Sequence, residues 1–451
     1  MNPMRSAWRT GLFATILLGV LLGWTPARAV PAFARQTGQN CVACHLGGQF
    51  PELTAYGRQF KLTGYTMGTN HLPLSVMAVL GYSKTSNPAA GGADPGGGPF
   101  YGEDNRATLQ GGSLFIAGRI ANNLGMMGQL TYNAYSDSAN GSYVGHSSID
   151  NTEFRYADRF ISGDNDLIVG AFVNNNPTME DVWNSTPAWG YPYVVSSFAV
   201  TPPAAPVLAG GFAQQAAGLG GYADWNQTLY GEFALYGSAR STWSFLRAGD
   251  LTTRFSKPAP YWRLTWSHNW GPSNLMVGTN GMIANLYNDP TTTASSTNKF
   301  RDIGVDAQYQ YILDPHAVSV HLSYIREKQY WGPDAVSGGN NPTDTLKRFL
   351  LKGAYTYNAT YGGSLAYVRG SGTPDLGEYG ASGDPLAASA NGSPNYTVWI
   401  PELYWIPVQY VRVGMQYWRY TQFNGAGSNY TGMGRSAGDN NTVFLYVWAA
   451  Y

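Results

Sequence analysis

The chain is poor in cysteine, in charge and in long apolar runs. Only two of its 451 residues are cysteine, which rules out a disulfide framework and leaves one pair of thiols to serve a single purpose. Charged residues are 12% and balance to zero, so no basic field points to nucleic acid. Beyond the first two dozen residues nothing approaches the roughly 20 consecutive apolar residues of a membrane helix. What is abundant is glycine and aromatic residues: 56 Gly, 32 Tyr, 18 Phe and 14 Trp. That balance favours strands and turns over helices.

The two cysteines lie in Cys41-Val42-Ala43-Cys44-His45. In a C-x-x-C-H segment the thiols add to the vinyl groups of a haem, and the adjacent histidine ligates the iron from one face. A lone disulfide or half a zinc site competes with this reading. No second Cys/His cluster completes a zinc shell, however, and no βαβ pattern surrounds the motif. One haem c with Cys41, Cys44 and His45 as its holders is the expectation.

Residues 1–29 have the form of a secretory signal peptide: Arg5 and Arg9, the apolar run Leu12 to Leu22, then Ala27-Arg28-Ala29 as a small-x-small cleavage pattern. The run is too short to span a hydrocarbon layer of about 30 Å. Cleavage after Ala29 removes three arginines and no acid, leaving 24 basic against 27 acidic residues. Export suits the motif, because c-type haem is joined to its protein outside the bacterial cytoplasm.

From Leu74 onward, segments of about ten residues alternate with period two, the pattern of a tilted transmembrane strand. In Asp302 to Tyr311, Ile303, Val305, Ala307, Tyr309 and Tyr311 share one face, and Asp302, Gly304, Asp306, Gln308 and Gln310 the other. Val318, Val320, Leu322 and Tyr324 stand likewise against Ser319, His321 and Ser323. Similar alternation surrounds Trp262 to Ser267 and Val411 to Gln416. Short links fall at Ala121–Gly125, Ser162–Asn165, Asn226–Gln227, Asn269–Pro272, Leu313–Pro315, Asn358–Thr360 and near Pro407. Long ones fall at Lys84–Ala107, Ser136–Ser148, Asn174–Gly218, Ser238–Ala259, Asn288–Thr297, Trp331–Asp344, Ser371–Pro394 and Asn424–Asn440. Eight long and seven short connections in strict alternation require about sixteen strands with both chain ends on the short-turn side. About 370 residues also exceed one ordinary β-sandwich. The expected fold is all-β, a transmembrane antiparallel barrel over 74–451 in a bacterial outer membrane with periplasmic termini. In the last strand Phe444, Tyr446 and Trp448 face inward, against a docked plug. That plug is the segment 30–73, too short to bury a haem and its own core unaided.

Phe33-Ala34-Arg35-Gln36-Thr37-Gly38, Cys41 to His45, Phe50-Pro51, Gly57-Arg58, Phe60-Lys61 and Gly64-Tyr65-Thr66 together resemble the fused monohaem cytochrome-porins of iron-oxidising bacteria. Pro177-Thr178, Asp181 and Trp183 to Gly190, in the longest loop, resemble the barrel portion of such proteins. The resemblance implies that extracellular Fe(II) is oxidised through one haem and that electrons pass to a periplasmic c-type cytochrome or copper protein. His45 is the axial ligand by motif. Met67, close to the Gly64-Tyr65-Thr66 segment, is the favoured second one, with His71 and Met77 as competitors. Candidate carboxylates for iron entry are Asp302, Asp306, Glu327, Glu153 and Glu402, while His146, His268, His316 and His321 show no ligand spacing. A passive porin with a haem-bearing plug, a haem peroxidase and electron transfer in the opposite direction remain open alternatives.

Overall fold

The structure is a computed structural model that describes residues 32–48, 51–69, 73–87, 104–137, 143–380, 386 and 388–451. The signal-peptide expectation and His71 lie outside the described residues. Among the described residues three short α-helices come first: α1 (Ala32–Thr37), α2 (Cys41–Cys44) and α3 (Ala55–Leu62). Sixteen strands follow. They are β1 (Leu74–Thr85), β2 (Ala107–Ala121), β3 (Leu124–Asp137), β4 (Tyr143–Ser162), β5 (Asn165–Asn174), β6 (Ala216–Trp225), β7 (Leu229–Ser238) and β8 (Ala259–Trp270) in the first half. The second half comprises β9 (Ser273–Tyr287), β10 (Thr297–Leu313), β11 (His316–Tyr330), β12 (Thr343–Tyr357), β13 (Tyr361–Gly372), β14 (Tyr396–Val408), β15 (Val411–Gln422) and β16 (Thr442–Ala450). Each pairs antiparallel with its sequence neighbours, and β1 closes the barrel on β16, leaving no free edge.

The two faces separate as alternation requires. Ile303 is 60% exposed on the outer face, while Asp302, Asp306, Gln308 and Gln310 on the same strand are buried inward. Leu264 and Trp266 point out, and Arg263 and Thr265 point in. An apolar outer band and a polar lining are the two surfaces of a membrane barrel, whose backbone groups must all pair within the sheet. Phe444 and Tyr446 are buried inward beside Val79, packed on Val194.

Two inserts fill the lumen. The first is the long connection 175–215 between β5 and β6, which folds inward and touches strands on all sides. Ser185 Oγ donates to Asp306 Oδ2 at 2.9 Å, Lys352 Nζ to Tyr193 Oη at 2.7 Å, Ser197 N to Gln110 Oε1 at 2.7 Å and Tyr420 Oη to Val200 O at 3.0 Å. Its side chains join two apolar clusters with the inner wall, one around Trp183, Leu208 and Phe212 and one around Tyr191 and Val200. The second insert is the N-terminal segment, which enters from the short-turn end. Its own core is three rings, Phe33, Phe60 and Tyr65, at 4.9 to 5.8 Å between centroids. The barrel supplies the rest: Arg58 donates to Gln310 Oε1 at 3.1 Å, Tyr222 Oη to Leu62 O at 2.6 Å, and Lys352 pairs with Glu52 at 2.8 Å. Gly125 of β3 has no side chain because a Cβ there would collide with the carbonyl oxygen of Gly64.

Candidate functional site

Helix α2 is one turn long. The His45 N–H closes it on Cys41 O at 2.8 Å, so Cys41 and Cys44, three residues apart, share a face with His45 just beyond. Helix α3 crosses directly behind. Thr54 caps its start by accepting from Gly57 N at 3.2 Å, and a Cβ on Gly57 would strike the Cys44 carbonyl oxygen, so glycine sets how closely the two helices meet. Both cysteines are unpaired thiols, and burial pushes each up to about 11. As free thiols they therefore stay protonated at neutral pH.

Cys41, Cys44 and His45 line one wall of an apolar cavity of about 320 Å³ inside the barrel. Phe33, Phe60 and Tyr65 form a second wall, and Trp189 of the long connection closes it. The barrel contributes Met77 of β1, Phe115 and Ala117 of β2, Met127 of β3 and Trp448 of β16. This set fits a c-type haem: two thiols and an imidazole on one side, aromatic and thioether side chains around, and barrel walls where the short segment has none.

Met67 does not line this cavity. Gly64 and Tyr65 both take positive φ, at 71° and 60°, and turn the chain back so that Met67 O accepts from Gln36 Nε2 at 2.8 Å. The sulfurs at the cavity are those of Met77, which alternates inward with Ser75 and Val79, and of Met127, opposite Ala117 in the β2–β3 register. Trp448 lines the cavity as its alternation in the last strand implies, whereas Phe115, Ala117, Met127 and Trp189 are lining residues that the sequence reading did not select as site residues. Trp189 did belong to the loop segment that carried the resemblance.

The two stretches carrying that resemblance meet inside the lumen. Lys61 of α3 donates to Met179 O at 2.6 Å, Asp181 O at 2.8 Å and Asn184 Oδ1 at 2.9 Å, satisfying all three ammonium protons. Asn184 Nδ2 returns a bond to Pro51 O at 2.8 Å. Burial pulls the Lys61 ammonium down to about 8, against the attraction of Glu153, Asp181 and Glu180. Asp181 accepts from the backbone N–H of Trp183, Ser185 and Thr186 and pairs with Arg263 at 3.2 Å, which holds its carboxyl below the usual range despite burial.

The inward carboxylates divide into two kinds. Glu153 pairs with Arg155, Asp306 with Arg263 and Glu402 with Arg412, so these three hold the structure together. Asp302 and Glu327 lie opposite one another in the β10–β11 register, and no lysine or arginine among the described residues is within salt-bridge distance of either. His268 stacks between Trp266 and Trp270, His316 lies against Tyr355, and His321 is buried in the lumen. Among the described residues no three His, Cys, Asp or Glu side chains converge as a metal cluster.

No family model matches the chain, and no curated protein matches it. Among solved structures it is similar to OmpF of Salmonella typhi in complex with daunomycin, at 11% identity and a TM-score of 0.44, over 85% of this chain and 98% of that one. It is also similar to an anion-selective porin from Comamonas acidovorans, at 10% identity and a TM-score of 0.44, over 84% and 99% of the two chains. The outer-membrane channel DcaP of Acinetobacter baumannii matches at 11% identity and a TM-score of 0.43, over 84% and 96%. None of these likenesses bears on function.

Proposed function

We propose that this chain is an outer-membrane redox protein that carries one haem c inside its barrel and transfers electrons from extracellular Fe(II) to the periplasm. The observation that supports it most is the cavity beside Cys41, Cys44 and His45, walled by both the N-terminal segment and the barrel. When bound, the haem supplies a one-electron Fe(III)/Fe(II) couple. Cys41 and Cys44 would anchor it covalently, His45 would ligate its iron, and Met77 and Met127 are the thioethers of the lining that could supply a second ligand. The aromatic walls and the inserted connection would limit the haem's exposure to water, which tunes its potential. Fe(II) as donor, and a c-type cytochrome or copper protein as periplasmic acceptor, come from the sequence resemblance. The overall change is one electron lost by Fe(II) outside and one gained by the acceptor inside. Periplasmic termini, on the short-turn side, belong to the same reading.

The two inserts meet across the lumen through Lys61 and Asn184, and this favours electron transfer over passive diffusion of solutes. The test is anaerobic. Oxidised full-length protein in proteoliposomes is mixed with membrane-impermeant Fe(II), and the haem absorbance is followed. Reduction in the wild type, its loss in His45→Ala with the barrel still folded, and reoxidation by a cytochrome inside support the proposal. A haem that stays oxidised where reduction is favourable, together with solute conductance through the barrel, would overturn it in favour of a plugged porin.

A further inference from the structure

Several buried carboxylates have no lysine or arginine in salt-bridge distance among the described residues: the pair Asp302 and Glu327, and Asp224, Asp344 and Asp375, which accept from Gln227, from Trp331 and Asn341, and from Asn341, Gly377 and Glu378. Glu52, Glu153, Asp181, Asp306 and Glu402 each sit on a lysine or arginine. Glu180 and Glu232 have phenol donors, from Tyr236 and from Tyr230 and Tyr261. Asp302 and Glu327 instead face one another across the β10–β11 register, both almost fully buried. Each accepts one backbone N–H from the long connection, Glu327 Oε2 from Val207 at 2.6 Å and Asp302 Oδ2 from Leu208 at 2.9 Å. Gln329 Nε2 donates to Glu327 Oε1 at 2.7 Å. This leaves Asp302 Oδ1 and the Gln329 carbonyl oxygen Oε1 buried without a hydrogen-bond partner. Gln329 is itself 4% exposed, and its amide nitrogen ties its side chain to Glu327.

Two adjacent carboxylates without a compensating charge are strongly unfavourable in a dry interior, and one further oxygen without a donor, that of Gln329, adds to the cost. All the unsatisfied atoms are hard oxygen donors, the set that a divalent cation prefers. We propose that Asp302, Glu327 and the Gln329 carbonyl form a binding site for a hard divalent cation inside the barrel, near the long-connection ends of β10 and β11. One such ion neutralises the pair and occupies both orphan oxygens. Fe(II) belongs to the class, but the site stands independently of the haem.

The test uses full-length, haem-loaded protein in detergent, stripped with chelator and titrated with Mn(II), with free ion followed by electron paramagnetic resonance. One Mn(II) per chain is expected. Asp302→Asn and Glu327→Gln should each weaken binding at least tenfold, while Asp289→Asn on an exposed loop leaves it unchanged. Mn(II) should also raise the thermal unfolding midpoint of the wild type, a readout that needs no variant to fold. No stoichiometric Mn(II) in the wild type, or undiminished binding in both variants, would overturn the site and leave a shared proton as the resolution of the pair. Haem absorbance recorded in the same samples keeps this result separate from the redox reading.

Discussion

The two inserts occupy one lumen and are built in different ways. The connection 175–215 is tied to the wall through Asp181 and Arg263 and packs into continuous apolar clusters. The N-terminal segment has three rings of its own, borrows its remaining walls, and leaves a cavity against its two thiols. Interiors are normally packed to crystal-like density. The N-terminal segment departs from this with an apolar cavity beside the only cysteines, while the other insert fills the barrel interior with packed apolar clusters.

The contrast is sharpest for the charges that fix each insert. Arg263→Met leaves Asp181 and Asp306 buried without their guanidinium and should cost about 3–5 kcal/mol, lowering the denaturant midpoint of the whole barrel. Lys352→Met strands one carboxylate, Glu52, and removes a hydrogen bond to Tyr193, so an effect near the lower end, about 3 kcal/mol, is expected. It should show first as faster proteolysis of the N-terminal segment with the barrel intact. Equal loss of barrel stability in both variants would break the distinction.

Lys61 joins the two inserts, and its titration gives a signed test. Its folded value, about 8, lies below the ordinary lysine value of 10.5, so between these pH values the unfolded chain holds more protons. Stability from this group should therefore rise with pH across that window, by at most about 1.4 kcal/mol per unit, and Lys61→Met should remove the slope. A wild-type slope of opposite sign, or one that persists in the variant, contradicts the assignment. A smaller, spectroscopic effect separates the methionines. Met77→Ala or Met127→Ala should shift the haem absorbance and midpoint potential if that sulfur ligates, whereas Met67→Ala should leave both unchanged. A shift confined to Met67→Ala would return the second ligand to the turn after α3.

The barrel was legible because lipid enforces a period of two: Asp302 to Tyr311 and Val411 to Gln416 lie on the faces their alternation predicts. Where lipid is absent the signal faded. β4 begins at Tyr143, inside a stretch read as a loop to Ser148, because the sequence from Ser136 to Ser148 is rich in Ser, Asn and Gly. The inward fold of 175–215 was not legible either, since a Gly/Pro/Asn-rich connection looks the same whether it faces water or a polar lumen. For the site, Cys41, Cys44 and His45 came from their spacing. Met67 was chosen by nearness along the chain, but barrel closure brings Met77 and Met127 to the cavity instead.

The central claim is that the cavity beside Cys41 and Cys44 holds a covalently attached haem. The most direct measurement is the intact mass of the mature protein, purified from cells able to attach c-type haem and denatured before analysis. The account predicts the polypeptide mass plus one haem, lost in the Cys41→Ala, Cys44→Ala double variant while the barrel still resists unfolding in detergent. A mass equal to the bare polypeptide, or to the polypeptide less two hydrogens from a Cys41–Cys44 disulfide, would contradict it.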